Sequence, residues 1–198
     1  MKDQSTVAGV ILAGGLAKRM NNEDKGLIQY HGRPLIAYAI DALAGIVAEI
    51  MINANRNLEQ YRRFGKPIVC DLTPSFDGPL AGILTAMLHT DAKVLVVLPC
   101  DSPLIKPEHV QKLISARAEN DADVAVAYDG ERLHPVFLAI KTRFKESLQD
   151  YLARGERKLD HWLKQHNLVL VDFSGTPNIF ANINTMIELK ALETQNER

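Results

Sequence analysis

Residues 7–27, VAGVILAGGLAKRMNNEDKGL, set an apolar run against two glycines and then a cluster of cations, an order of residue types suited to holding an anion. Gly14 and Gly15 lack a Cβ, so the chain can turn sharply and bring backbone N–H groups close to phosphate oxygens. Lys18, Arg19 and Lys25 come next, with stems long enough to converge on a polyphosphate. Asp24 is expected to fix one of these cations. No Gly-Lys-Ser/Thr phosphate loop or G-x-G-x-x-G fingerprint is present, because Leu16 and Ala17 follow the glycines. On residue types alone the stretch is a generic anion loop, and a strand-to-helix turn with a solvated basic flank is the plain alternative.

Further candidates lie along the chain. Asp101 follows the apolar run 93–98 and is placed to give an oxygen ligand to Mg²⁺, which takes one or two protein carboxylates and fills its shell with phosphate oxygens and water; a helix-capping role competes, because Ser102 and Pro103 come next. Lys25 and Arg19 supply positioned charge of the kind that stabilises a transferred phosphoryl centre or leaving pyrophosphate without a covalent nucleophile. Asn53 and Asp71 suit base or ribose recognition, a carboxylate matching the paired N–H donors of guanine, or else tie a loop to its own backbone. Gly78, Pro79 and Gly82, in TPSFDGPLAG, suit a close-approach wall. Asn182 and Asn184, in FANINT, recur at period two and project to one side. Arg154, Arg157 and Lys158 around Gly155 fit either an acceptor phosphate or a solvated helix junction. His134, before Pro135, reads as a structural polar residue, and Trp162 as a packing residue. No Ser-His-Asp order or Cys-His pair suggests covalent catalysis.

These residues need a frame. Val7–Leu12 reads as a strand buried on both faces. Pro34 opens a helical pattern through Leu35, Ile36, Ala39, Ile40, Leu43 and Ile46. Strands are expected at 50–52, 67–70, 93–98, 124–127, 136–140 and 168–173. Helices are expected at 58–64, 80–89, 107–117, 142–153, 159–166 and 185–192, the last with a Thr185–Glu188 capping box and a frayed tail from 194. The pair 124–127 and 136–140 is expected to be antiparallel at the edge of the sheet. Alternating strands and helices predict an α/β, three-layer open, mainly parallel sheet with right-handed crossovers. Gly14, Asn53, Asp71 and Asp101 each follow a predicted strand directly, so four strands would deliver them to one edge, where such sheets bind ligands.

Composition narrows the function classes. With 198 residues, one domain over 1–198 is the expectation. A net charge of −1 gives no broad field for nucleic acid. Cys70 and Cys100 are far apart and outside any metal-spaced pair, which favours buried free thiols in a reducing cytoplasm. MKDQST is not a secretory leader and no apolar run spans a bilayer, so a cytoplasmic protein without membrane association is expected.

The strings LAGGLAKRM and DKGL, with the later GPLAG and CDSP, resemble the signature of nucleotidyltransferases, and most of all molybdenum cofactor guanylyltransferases, over nearly the whole chain. One departure is visible: Asn21 and Asn22 stand where that family usually has glycine after the Arg-Met pair. The resemblance implies a Rossmann-like nucleotidyltransferase fold, with Leu12, Ala13, Gly14, Lys25, Asn53, Asp71 and Asp101 contacting GTP and Asp101 holding Mg²⁺. It places Asn182 and Asn184 near the pterin acceptor. The implied reaction is in-line attack by the terminal phosphate of molybdopterin, carrying molybdenum, on the α-phosphorus of GTP. The implied partners are cofactor-synthesis and molybdoenzyme-maturation proteins. The alternatives are a CTP-dependent cytidylyltransferase acting on molybdopterin or on a sugar or alcohol phosphate, and a non-catalytic GTP- or cofactor-binding module.

Overall fold

The structure, a computed structural model, describes residues 7–14, 24–72, 78–183 and 188–189. Gly15, Lys18, Arg19, Asn21, Asn22, Asn184 and the Thr185 cap lie outside those residues. Strand β1, Val7–Leu12, is the middle of the architecture. Its alternating side chains serve two cores: Val7 and Ile11 enter the layer on one face, Ala8 and Val10 the layer on the other. A strand covered on both faces needs apolar residues at every position, and VAGVIL has them.

The chain continues through a short hairpin, β2 (Gln29–Tyr30) and β3 (Arg33–Pro34), into α1 (Leu35–Leu43), β4 (Glu49–Asn53), α2 (Leu58–Arg62) and β5 (Ile68–Val69). The second half contributes α3 (Pro79–Leu88), β6 (Val94–Pro99), α4 (Pro107–Glu119), β7 (Val124–Tyr128), β8 (Leu133–Lys141), α5 (Lys145–Ala153), α6 (Leu159–Leu163) and β9 (Leu168–Asp172). Seven strands form one sheet in the order β5-β4-β1-β6-β8-β7-β9. Leu43, Tyr61, Val110 and Leu113 bring α1, α2 and α4 to one face. Ile83, Leu84, Leu148, Tyr151 and Trp162 bring α3, α5 and α6 to the other, which completes the three layers.

The ladders β5–β4, β4–β1 and β1–β6 are all parallel, with Leu12 opposite Asn53 on one side and Pro99 on the other. Strand β8 is antiparallel to both β6 and β7, and β9 is parallel to β7. The expected antiparallel pair therefore exists but is not at the edge. Val124–Ala127 and Phe137–Ile140 are buried on both faces, so the pair must lie inside the sheet, and β9 takes the margin with Leu170 half exposed. The expectation of two buried thiols is likewise half right: both are free, Cys100 is buried and Cys70 is exposed. No described helix is long and apolar enough to cross a membrane.

Tyr61 of α2 is fully buried, and its hydroxyl has no hydrogen-bond partner among the described residues. Burial first, and then neighbouring Cys100 and Asp24, push that hydroxyl far above its ordinary pKa. Removing an unsatisfied buried group leaves no widowed partner. Tyr61→Phe is expected to hold or raise stability, with urea unfolding showing no loss beyond about 1 kcal/mol.

Candidate functional site

The parallel half of the sheet places four chain segments along one rim: the ends of β1 (Leu12, Ala13, Gly14), β4 (Asn53), β5 (Asp71) and β6 (Cys100, Asp101). The strand order changes direction between β1 and β6, because the chain adds β4 and β5 on one side of β1 before crossing to the other. A crevice at the carboxyl ends of the strands is expected there. Backbone hydrogen bonds close it at the base, from Ala13 N to Asn53 O at 2.8 Å and from Cys100 N to Leu12 O at 3.2 Å.

The DKGL string builds one wall. Residues 25–27 form a single 3₁₀ turn preceded by Asp24 in extended conformation. Asp24 is buried, and it pairs with Arg56 and accepts from Asn57 Nδ2 at 3.0 Å. Among the described residues it holds Arg56; Lys18 and Arg19, two of the three cations it was expected to fix, lie outside them. Gly26 lies against the end of β6: a Cβ there would stand 3.0 Å from Tyr61 Oη and 3.3 Å from Cys100 Cβ. With the turn anchored on both sides, Lys25 Nζ reaches Asp101 Oδ2 at 3.1 Å. The carboxylate side chain is 12% exposed and the lysine 30%, so this ion pair sits at the mouth of the crevice. A partly exposed pair contributes on the order of 1 kcal/mol or less to stability. Its consequence is positional: a cation and an oxygen ligand are held in contact just past the carboxyl end of β6, on the edge where β1 also ends.

The opposite wall is a polar network. Asn53 Nδ2 donates to Asp71 Oδ1 at 2.8 Å and to Val69 O at 3.2 Å, while Asn55 Nδ2 donates to Asp71 Oδ2 at 2.8 Å. Asp71 N returns a bond to Asn55 Oδ1 at 2.8 Å. The loop-tying role open to Asn53 and Asp71 is therefore present. Two lone-pair sites of the carboxylate remain, since an ionised carboxylate has about four. Asn55 was missed as a site residue; the signal was the period-two asparagines Asn53, Asn55 and Asn57 after β4.

Gly78 has φ +68° and caps α3, leading into Pro79, and Gly82 comes one turn later under Asn53. A Cβ at Gly82 would stand 2.3 Å from Asn53 Oδ1 and 2.9 Å from Leu12 Cδ2, so only glycine lets α3 approach the rim.

The C-terminal segment closes the third side. Ser102 Oγ donates to Asn182 Oδ1 at 2.6 Å, and Ile183 N donates to Asp101 O at 3.1 Å. Ile183 is buried against Ile28, Tyr30 and Leu35, which ties the segment to the hairpin that comes after Lys25. Upstream, Phe180 stacks on His134 with ring centroids 3.9 Å apart, and His134 Nε2 lies 2.6 Å from Asp129 Oδ2. His134 is thus structural, as its sequence setting suggested. Backbone donors from Arg132 and Glu131, with His134 beside them, hold the Asp129 carboxyl well below the usual carboxylate range. Trp162 is fully buried, and Arg157 is bound to the carbonyls of Leu152 and Glu156 at its helix junction.

The site therefore joins Leu12, Ala13, Gly14, Lys25, Asn53, Asp71, Gly78, Gly82, Asp101 and Asn182 on one rim. Its donors are hard oxygens, and among the described residues no group of three or more His, Cys, Asp or Glu could hold a metal alone. That donor set fits a divalent cation that keeps most of its shell for water and phosphate, with Asp101 as the protein ligand. Cys100, next to Asp101, is deactivated, because burial pushes its thiol far up.

Comparison with known proteins agrees with this geometry. The family model of the MobA-like NTP transferase domain matches residues 9–169. The chain is 46% identical over 179 residues to the molybdenum cofactor guanylyltransferase of Shewanella sediminis, covering 90% of this chain and 91% of that protein. It is 45% identical over 180 residues to the enzyme of the same name from Shewanella piezotolerans, covering 91% and 88%. Among solved structures, molybdopterin-guanine dinucleotide biosynthesis protein A from Archaeoglobus fulgidus superposes with a TM-score of 0.79 at 22% identity, over 96% of this chain and 98% of that one. At that identity the likeness is one of fold.

Two measurements check this architecture, one at the rim and one at the turn between β7 and β8. Gly82→Ala must displace Asn53 or α3, and overpacking of this kind costs about 1–3 kcal/mol; chemical unfolding should show that loss. For Asp129, a folded-state pKa below the unfolded one supplies stability above the unfolded pKa, and this is lost as pH falls through the folded one. Asp129→Asn should lower Tm at neutral pH and show a shallower decline than wild type below about pH 4.

Proposed function

The chain belongs to the molybdenum cofactor guanylyltransferases, with a MobA-like NTP transferase domain, and from that premise we propose that it transfers GMP from GTP to the terminal phosphate of molybdenum-molybdopterin. An acceptor phosphate oxygen forms the new bond to the α-phosphorus of GTP, the bond from that phosphorus to the β-phosphate oxygen breaks, and pyrophosphate leaves. The observation that carries this reading is the Lys25–Asp101 pair at the switch point of the sheet.

In this reading the chain acts as one nucleotidyltransferase domain. Leu12, Ala13 and Gly14 bring backbone to the triphosphate, Gly15 is a further nucleotide contact, and Arg19 shares the charge-neutralising role of Lys25. Asp101 would hold a Mg²⁺ ion, which would supply charge to neutralise phosphate oxygens. Lys25, whose ammonium sits on Asp101 at 3.1 Å, is within reach of a triphosphate there and would offset the charge that develops on pyrophosphate. The nucleophile is already anionic, so alignment and charge neutralisation suffice without a strong general base. Asn53 and Asp71, rigid through their mutual bonds, read the base or ribose from the β4–β5 end. Gly78 and Gly82 keep that wall close, while Asn182, with Asn184, borders the acceptor. Cofactor-synthesis and molybdoenzyme-maturation proteins are the protein partners this reading implies.

Pyrophosphate release is the measurement. With molybdenum-molybdopterin as acceptor, GTP is expected to support turnover and CTP to support little; strong CTP preference would overturn the guanylyl assignment. Lys25→Ala and Asp101→Ala should each lower kcat about a hundredfold, as loss of roughly 3 kcal/mol of transition-state stabilisation requires. Near-wild-type turnover in both variants would remove the rim from the mechanism.

A further inference from the structure

At the opposite end of the same strands lies a second feature that the nucleotidyl reaction does not use. A cavity of about 610 Å³ opens where β6 begins and β8 ends, with Lys93, Arg117, Lys141, Arg143 and Lys145 around it. Val94 lines it and Asp101 closes the far end of β6, so the strand rise alone separates the two sites by roughly 20 Å.

The charges at this cavity are unbalanced in a specific way. Lys141 is held by Asp121 at 3.3 Å and by Asp123 at 3.2 Å, and Arg143 by Asp123 at 2.8 Å. Lys93 and Lys145 make no ion pair among the described residues. Arg117 donates from one terminal nitrogen to Ala122 O at 3.2 Å, yet its Nε is buried with no hydrogen-bond partner among the described residues. Asp91 and Asp121 are the acidic residues of the lining, against five cations. A buried donor without an acceptor is a standing cost.

Helix α5 adds to the same imbalance. It starts at the cavity, its nine residues receive no side-chain cap at Phe144, and its first turn carries Glu146 as the acidic residue. Lys141, Arg143 and Lys145 crowd this end, although the positive pole of a helix favours anions and not cations. An anion among the lysines would offset this crowding of like charge. Met87, Ala92 and Val94 give the cavity an apolar side, and its volume exceeds that of an inorganic ion.

We propose that this cavity binds a small soluble molecule bearing a phosphate group, at a site separate from the triphosphate rim. The assignment does not depend on which nucleotide the rim uses. The test is titration of the full chain with inorganic phosphate, monitored by heteronuclear NMR. Saturable shifts are expected at the amides of Arg143 and Lys145 and at the Arg117 Nε–H. Lys93→Gln/Lys145→Gln should weaken the affinity about tenfold or more through loss of two charge-assisted bonds, whereas Lys25→Gln and the surface control Lys164→Gln leave it unchanged. Both lysines of the double variant are exposed, and its unfolding curve checks that it folds. The proposal is overturned if phosphate gives no saturable shifts at the cavity, if the double variant binds like wild type, or if Lys25→Gln alone abolishes binding.

Discussion

The parallel pairing of β1 with β4 on one side and β6 on the other is the constraint on which the rest depends. Parallel strands end at the same edge, so Gly14, Asn53 and Asp101 must meet although they are far apart in the chain. The residues just past each strand end then decide what the rim can do. A glycine after β1 leaves room, asparagines after β4 brace an acid after β5, and an aspartate after β6 meets the lysine of the 3₁₀ turn.

The rim is built from interactions with different purposes. The Asp24–Arg56 pair is an anchor: its carboxylate is buried at the start of the DKGL turn, so removing Arg56 strands that charge. In the Lys25–Asp101 pair the carboxylate is itself partly exposed, 12% against 2% for Asp24, so a ligand can reach it. The Asn53–Asp71–Asn55 network is cross-braced, which suits a wall that recognises shape and hydrogen bonds. Gly26 and Gly82 let two such walls approach the strand ends more closely than any side chain would allow.

Much of this was legible in the sequence, for physical reasons. Buried parallel strands are apolar at every position, so Val7–Leu12 and Val94–Leu98 announce themselves, and a glycine or polar residue soon after each marks the rim. The insertion of β8 between β6 and β7 was not legible, because local pattern shows that two strands pair but not which third strand lies beside them. The hairpin at 29–34 has strands of two residues each, too short for a periodic signal, although His31 and Gly32 at its tip both take positive φ. The partner that Asp24 has among the described residues, Arg56, lies 32 positions away, beyond any local pattern. The bond of Asn55 to Asp71 has no local signal, since it depends on where β5 ends.

The central claim is that the Lys25–Asp101 contact is the resting form of a triphosphate and metal site. A crystal structure with Mg²⁺ and a non-hydrolysable GTP analogue tests it most directly. The account requires the triphosphate at the β1 end beside Gly14, the metal on Asp101, and Lys25 Nζ moved from the carboxylate to a phosphate oxygen. A triphosphate bound elsewhere, with the Lys25–Asp101 bond intact and no metal on Asp101, would contradict it.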